Sequence, residues 1–154
     1  MRGARRVVGV VPAAAIVLAA QVYAHCQIPC GIYDDPMRLT QMEEHVATIE
    51  KSMTEIARLS GESAPDWNQL VRWVLNKEDH ADQLAEIVAY YFLAQRVKPG
   101  PEDDRTASAE YMRQLRLLHQ ITIHAMKAKQ TTDISQCETL RGLIKDFKMA
   151  YMKG

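Results

Sequence analysis

Between Leu39 and Ile56 the apolar side chains Leu39, Met42, Val46, Ile49, Met53 and Ile56 recur in steps of three, four, three, four and three. A helix places such a set on one narrow seam, and a seam of this kind has to be buried against other helices. The same logic extends down the chain. Gly61 suits a left-handed helix end, and Ser63-Ala64-Pro65-Asp66 reads as a restart with a Ser cap. A second helix is expected over about 64–97, with Trp67, Leu70, Val74, Ala81, Leu84, Val88 and Tyr91 as its seam and Lys77 as an interruption. Pro99-Gly100-Pro101 ends it. A third helix over about 104–129 carries Tyr111, Leu115, Leu118, Ile121 and Ala125. A fourth begins near Ser135, with Glu138 completing a capping box, and carries Cys137, Leu140, Ile144, Phe147 and Tyr151. No stretch alternates with period two. The expected fold is all-α, an antiparallel up-down four-helix bundle over about residues 36–152.

Residues 1–24 have a different character. Arg2, Arg5 and Arg6 precede an apolar run, Val7 to Ala20, and Gln21-Val22-Tyr23-Ala24 places small residues at −1 and −3 of a cut after Ala24. This is the anatomy of a secretory leader, and the run is short of the roughly 20 residues a bilayer span requires. The expectation is a segment removed at Ala24-His25 by a processing peptidase, with no stable membrane anchor. An exported protein, periplasmic or extracellular, follows from a Sec signal; a pro-segment removed in the cytoplasm is the alternative. The chain has 19 basic and 19 acidic residues, and the leader holds three Arg and no acid, so residues 25–154 stand at about −3. That balance argues against nucleic acid as the main partner. The 130 residues left are enough for one domain with a sizeable core.

The cut would expose a distinctive cluster. His25-Cys26-Gln27-Ile28-Pro29-Cys30-Gly31-Ile32-Tyr33 would begin with a free amine, an imidazole and two thiols within six residues, a hook outside the bundle. The His25 amine, the Cys26 backbone nitrogen and the Cys26 sulfur lie along one continuous chain and can form fused chelate rings. Cys30 closes a fourth corner if the chain turns at Ile28-Pro29, and Gly31 permits a tight backbone turn. Mixed nitrogen and sulfur ligation in a plane favours Ni(II) or Cu(II) over tetrahedral Zn. The imidazole is left free to approach from above. A Cys26–Cys30 disulfide is the competing reading, but so short a loop stabilises little. Cys137, on the seam of the fourth helix, reads as a buried thiol. His45, His119 and His124 read as surface or packed histidines, and most Met residues as packing.

The pattern His-Cys-X-X-Pro-Cys-Gly-X-Tyr at 25–33 resembles the nickel hook of the nickel-containing superoxide dismutases, and all its defining positions match. The resemblance implies a homohexamer of four-helix bundles with one nickel ion per subunit. It also implies an antioxidant reaction: two superoxide ions become dioxygen and hydrogen peroxide by Ni(III)/Ni(II) cycling. By that similarity the metal ligands are His25 (amine, with its imidazole axial in the oxidised state), Cys26 (amide nitrogen and sulfur) and Cys30. Tyr33 would order water and substrate beside the metal, while Pro29 and Gly31 shape the hook.

The residues around the ligands match the family less closely. His80 falls near the place of an arginine that helps hold the axial imidazole. Glu43 and Glu44 are nearest to the corresponding carboxylate, the extra residue at Asp34-Asp35 blurring the register. Arg96 takes the place of a tyrosine, and Lys98 that of an anion-attracting lysine. The runner-up function is a non-catalytic secreted bundle that binds nickel or copper. The apolar stretch Ile87-Val88 with Tyr90-Tyr91-Phe92 reads as a surface for association.

Overall fold

The computed structural model describes residues 31–152. Its helices are α1 (Asp35–Ser60), α2 (Trp67–Glu86), α3 (Arg105–Lys129) and α4 (Ser135–Tyr151), and α2 runs on without a break into a π-helical segment, Ile87–Arg96. Among the described residues there is no strand. Each helix packs on its neighbours in the order α1, α2, α3, α4 and back to α1. Short connections between neighbours make this the expected four-helix bundle.

The α1 seam is buried as its spacing predicts, with Leu39, Met42, Val46, Ile49 and Met53 fully inside. They meet Leu84, Val88 and Phe92 from α2 and its extension, Leu118 and Ile121 from α3, and Leu140, Ile144 and Phe147 from α4. Phe92 stands edge-on to Phe147, with ring centres 4.9 Å apart, and Phe147 stacks on Tyr151. Cys137 is fully buried, its sulfur 3.8 Å from that of Met53. Burial, reinforced by Glu50, pushes its thiol pKa up to about 11, so it packs as a neutral hydrophobe.

The α2 seam departs from expectation at its N-terminal half. Ala81, Leu84, Val88 and Tyr91 are buried, but Trp67 is 67 % exposed. The reason lies at Lys77, which does not interrupt the seam but caps a neighbouring helix. Its buried ammonium donates to the carbonyls of Lys129 and Thr131, at the end of α3 and in the turn beyond it. These carbonyls lack intrahelical partners. The α3–α4 turn therefore lies at the level of Lys77, and the earlier turns of α2 have only α1 to pack on. There Asn76 donates to the buried Ser52 hydroxyl (2.9 Å), and Lys51 lies over the Trp73 ring. Replacing Lys77 by Ala is expected to lower stability by about 1–3 kcal/mol, since it leaves part-buried carbonyls unpaired. Urea unfolding with an unchanged m-value checks this, and a midpoint equal to that of the wild type would contradict the capping role.

The turn chemistry also differs from the expected pattern. Asp66 rather than Ser63 caps α2, accepting from the Gln69 amide at 3.1 Å. Asp133, not a Ser135–Glu138 box, closes the start of α4; its carboxylate accepts from the Ser135 amide (3.0 Å) and hydroxyl (2.7 Å). Gly61 ends α1 in a right-handed conformation, φ −86°. An aspartate reaches orphan amides from a position a serine also fits, so composition alone does not choose between them.

The apolar stretch at 87–92 is no free surface either. Val88, Tyr91 and Phe92 are buried in the protein's own core, Ile87 packs against it, and only Ala89 and Tyr90 are exposed. Met42 and Met53 pack inside as expected, while Met37, Met112, Met126, Met149 and Met152 lie at the surface.

Candidate metal centre

His25, Cys26, Pro29 and Cys30 lie outside the described residues, which begin at Gly31. Gly31 itself has φ +71°, the left-handed backbone that its lack of a Cβ makes inexpensive. Two residues on, the Tyr33 ring is held on two sides. The Arg96 guanidinium lies 4.5 Å above its centre, and Tyr91 meets it edge-on at 6.0 Å. Its hydroxyl donates to Gln95 Oε1 at 3.4 Å. A cation over a phenol face and an edge-to-face aromatic pair are both attractive.

The paired acids after Tyr33 divide the work between them. Asp34 caps α1, accepting from the Met37 amide at 3.0 Å. Asp35 ties the bundle end together. It accepts a bidentate pair from Arg96 (2.9 and 2.7 Å) and hydroxyl hydrogen bonds from Tyr91 and from Tyr151 at 2.8 Å. One carboxylate thus joins α1, the π-helical segment and α4, and fixes the arginine that covers Tyr33. The π segment contributes directly. Its last turn closes with the Val97 amide donating to the Phe92 carbonyl, five residues back, and this wider turn presents Arg96 to Asp35.

Electrostatics follow from this arrangement. Burial raises the Asp35 pKa, but donors from Arg96, Tyr91 and Tyr151 outweigh it and hold the carboxyl below its ordinary value. Burial and the Asp35 charge push the Tyr151 hydroxyl up to about 12, and raise Tyr91 further. A carboxyl whose folded pKa is depressed adds stability above the unfolded value of about 3.9 and loses it as pH falls through the folded value. Asp35→Asn is therefore expected to reduce stability at pH 7 and to flatten the acid limb of the stability curve below about pH 4. Chemical denaturation from pH 2 to 7 tests this; parallel curves for both proteins would show that Asp35 is not the titrating latch.

Beyond Tyr91 a groove runs between α1 and α2, with a cavity of about 490 Å³. Arg38, Gln41, Glu44 and His45 line it from α1, and His80 and Glu86 from α2. Arg38 lies 5.2 Å above the Tyr91 ring and donates from Nη1 to Gln41 at 2.9 Å, but its buried Nε–H has no acceptor among the described residues. His45 and His80 face each other across the groove with their Nδ1 atoms 2.8 Å apart. Burial, then the neighbouring His80, lower the His45 pKa, with Glu44 opposing.

The candidates from the sequence thus separate. Tyr33 and Arg96 come together beside Tyr91, one of the residues lining the groove, and His80 and Glu44 line it too. Glu43 points elsewhere, its carboxylate 3.6 Å from Lys148 of α4. Lys98 is an exposed residue past the end of the π segment. His124 pairs with Gln136 at 2.9 Å, and His119 is exposed on α3. Asp35, Arg38 and His45 were missed. A doubled acid at a helix start hints at a second job for one of the pair, whereas nothing in the spacing of His45 and His80, 35 residues apart, announces that they touch.

Among the described residues no group of three or more His, Cys, Asp or Glu side chains converges on a metal position. The residues expected from the sequence to supply nickel donors, His25, Cys26 and Cys30, precede Gly31 and lie outside the described residues. Residues 20–154 match the model of the family described as nickel-containing superoxide dismutase, and the chain belongs to that family. It is accordingly an oxidoreductase that uses nickel and acts on superoxide. No curated protein and no solved structure matches the chain. Among the described residues, no helix is long and apolar enough to cross a membrane.

Proposed function

We propose that the working enzyme begins at His25, after removal of residues 1–24, and holds one nickel ion through the His25 amine, the Cys26 amide nitrogen and the sulfurs of Cys26 and Cys30. The observation that carries this reading is the anchoring of Tyr33 against Tyr91, which lines the α1–α2 groove, two residues after a glycine already in the left-handed turn the motif needs. Eight residues separate Tyr33 from His25 and span at most about 26–29 Å. His45 lies ten residues along α1 from Asp35, about 15 Å of helix rise. A segment folded back from Tyr33 therefore has the reach to lie along the groove. The unmatched Arg38 Nε–H is a donor suited to a backbone carbonyl of such a segment.

The nickel, when bound, supplies one-electron exchange between Ni(III) and Ni(II), with thiolate donors lowering the couple to where superoxide can drive it both ways. The chain's own residues do the remainder. Tyr33, pinned by Arg96 and Tyr91, presents its exposed edge where a small anion and its water would be ordered. Asp35 keeps Arg96 in place and neutralises much of its charge. Arg38, whose guanidinium meets no carboxylate within 4.0 Å among the described residues, is the better source of local attraction for an anion. Lys98 adds to it only at long range. The reading includes a homohexamer, a processing peptidase acting at Ala24-His25, and export or cytoplasmic maturation as the two routes to the free amine.

Mass spectrometry of the native protein gives the N-terminus and the bound metal together, and fast superoxide consumption by that material gives the activity. An N-terminus other than His25 in active, nickel-loaded protein would refute the ligand set.

A further inference from the structure

The groove holds one arrangement that neither metal binding nor anion attraction accounts for, the His45–His80 pair. Its ring centres are 5.0 Å apart while its Nδ1 atoms are 2.8 Å apart. The centre-to-centre distance is thus nearly the N···N distance plus one ring radius on each side, so the two nitrogens point at each other. They do not converge on a third point, as two ligands of one ion would. Two imidazole nitrogens meet head-on at this distance only when one carries a proton and the other a lone pair. Each ring then has its tautomer set by the other. A neutral acceptor ring must carry its proton on Nε2, and a neutral donor ring must leave its Nε2 bare. Arg38, Glu44, Glu86, Tyr90 and Tyr91 are the charged and titratable groups that share the cavity walls from α1, α2 and the π segment. None of them is recorded in hydrogen-bond contact with either imidazole among the described residues.

Such a pair can move a proton from one Nε2 to the other. A proton added at the bare Nε2 of the donor ring lets its Nδ1 proton cross to the acceptor's Nδ1, and the acceptor then releases its Nε2 proton. Both rings end neutral with their tautomers exchanged and one proton has crossed the groove; before the next transfer the rings part and each exchanges its proton with water to regain its starting tautomer. Dismutation needs this service. One superoxide ion gives up an electron and leaves as dioxygen. The other takes that electron with two protons and leaves as hydrogen peroxide. Oxidation of a thiolate or of the metal supplies no proton, so both must be brought from solvent.

The geometry points to His45 and His80 as a proton relay that delivers solvent protons to the reduced oxygen species in the α1–α2 groove. This rests on the dismutase reading with its hook at that groove. The relay is expected to matter most at alkaline pH, where free protons are scarce and a positioned donor does the most.

The test uses the processed, nickel-loaded protein and its His80→Asn variant. The Asn amide lies about where Nδ1 was and can still hydrogen-bond His45, but it passes no proton. With selectively ¹⁵N-labelled histidine, nuclear magnetic resonance should show Nδ1–Nδ1 coupling through a shared proton in the wild type and none in H80N. At pH 9 the variant should dismutate superoxide about 100-fold more slowly, with unchanged nickel content and folding, and added imidazole should restore part of the rate. Absence of the coupling in the wild type overturns the proposal. So does an H80N rate equal to wild type at every pH, or a loss of activity matched by loss of nickel, which would make the pair a hook support. A wild-type protein that carries nickel but does not consume superoxide would instead bring down the reading beneath it.

Discussion

Replacing Cys26 or Cys30 by Ser is expected to abolish superoxide consumption while leaving the helical bundle folded. A serine hydroxyl is a hard donor with a far higher pKa than a thiol, so it offers no thiolate to lower the nickel couple. The effect should be complete. Stability should behave in the opposite way. The core of the described residues is built from residues 39–150 and closes without residues 25–30. Metal-free variant and metal-free wild type should therefore unfold within about 0.5 kcal/mol of each other, as surface substitutions do. The comparison has to be made without metal, because a ligand that binds only the folded state adds apparent stability by mass action. Electron paramagnetic resonance and superoxide decay read the first half, urea denaturation the second. A variant that fails to fold would mean that the thiols hold the structure together, by a disulfide or otherwise, and the hook would have to be reassigned. Cys137→Ser should show the contrary pattern, since it places a hydroxyl against Met53 in a fully buried site. It should lose stability with the metal centre intact.

The second large effect is expected from the uncut chain. With Met1–Ala24 attached, the nitrogen of His25 is an amide rather than an amine. It loses the basic lone pair that a free amine, of pKa about 8, offers a metal. The chelate sequence is broken at its first atom, and the imidazole loses its position relative to the remaining donors. A precursor supplied with nickel should thus be inactive, and proteolytic exposure of His25 should restore activity in step with the fraction cut. Measuring activity and N-terminal mass on the same samples decides it. Substantial activity in protein that retains residue 24 would rule out the amine as a ligand. Extending the mature chain by a single Ala before His25 is the more stringent version, because it changes the amine's position without adding a leader.

How far these features could be read in advance varied by type. The four helices were legible because a seam repeats every three or four residues and leaves its mark on many positions at once. Leu39 through Met53 are buried as that spacing requires. The proposed metal donors come from the sequence for a related reason, since a chelate built from consecutive atoms of one chain is local by construction. Caps were less legible: Asp66 and Asp133 do what Ser63 and Ser135 were expected to do. Lys77 looked like a flaw in a seam because its partners, one carbonyl at the end of α3 and one in the turn beyond, are more than 50 positions away.

For this protein the sequence by itself determined the helical class and pointed to residues 25–33 as the place to look for nickel donors, because both readings rest on short-range spacing. The tertiary structure alone decided what surrounds that chemistry. It joined Asp35 to Arg96, Tyr91 and Tyr151 across 56 to 116 residues, and set His45 against His80 over a groove that no single helix contains. Such pairings depend on which helix faces pack together and at what level. Packing settles that through the summed burial of many side chains, and no local pattern records it.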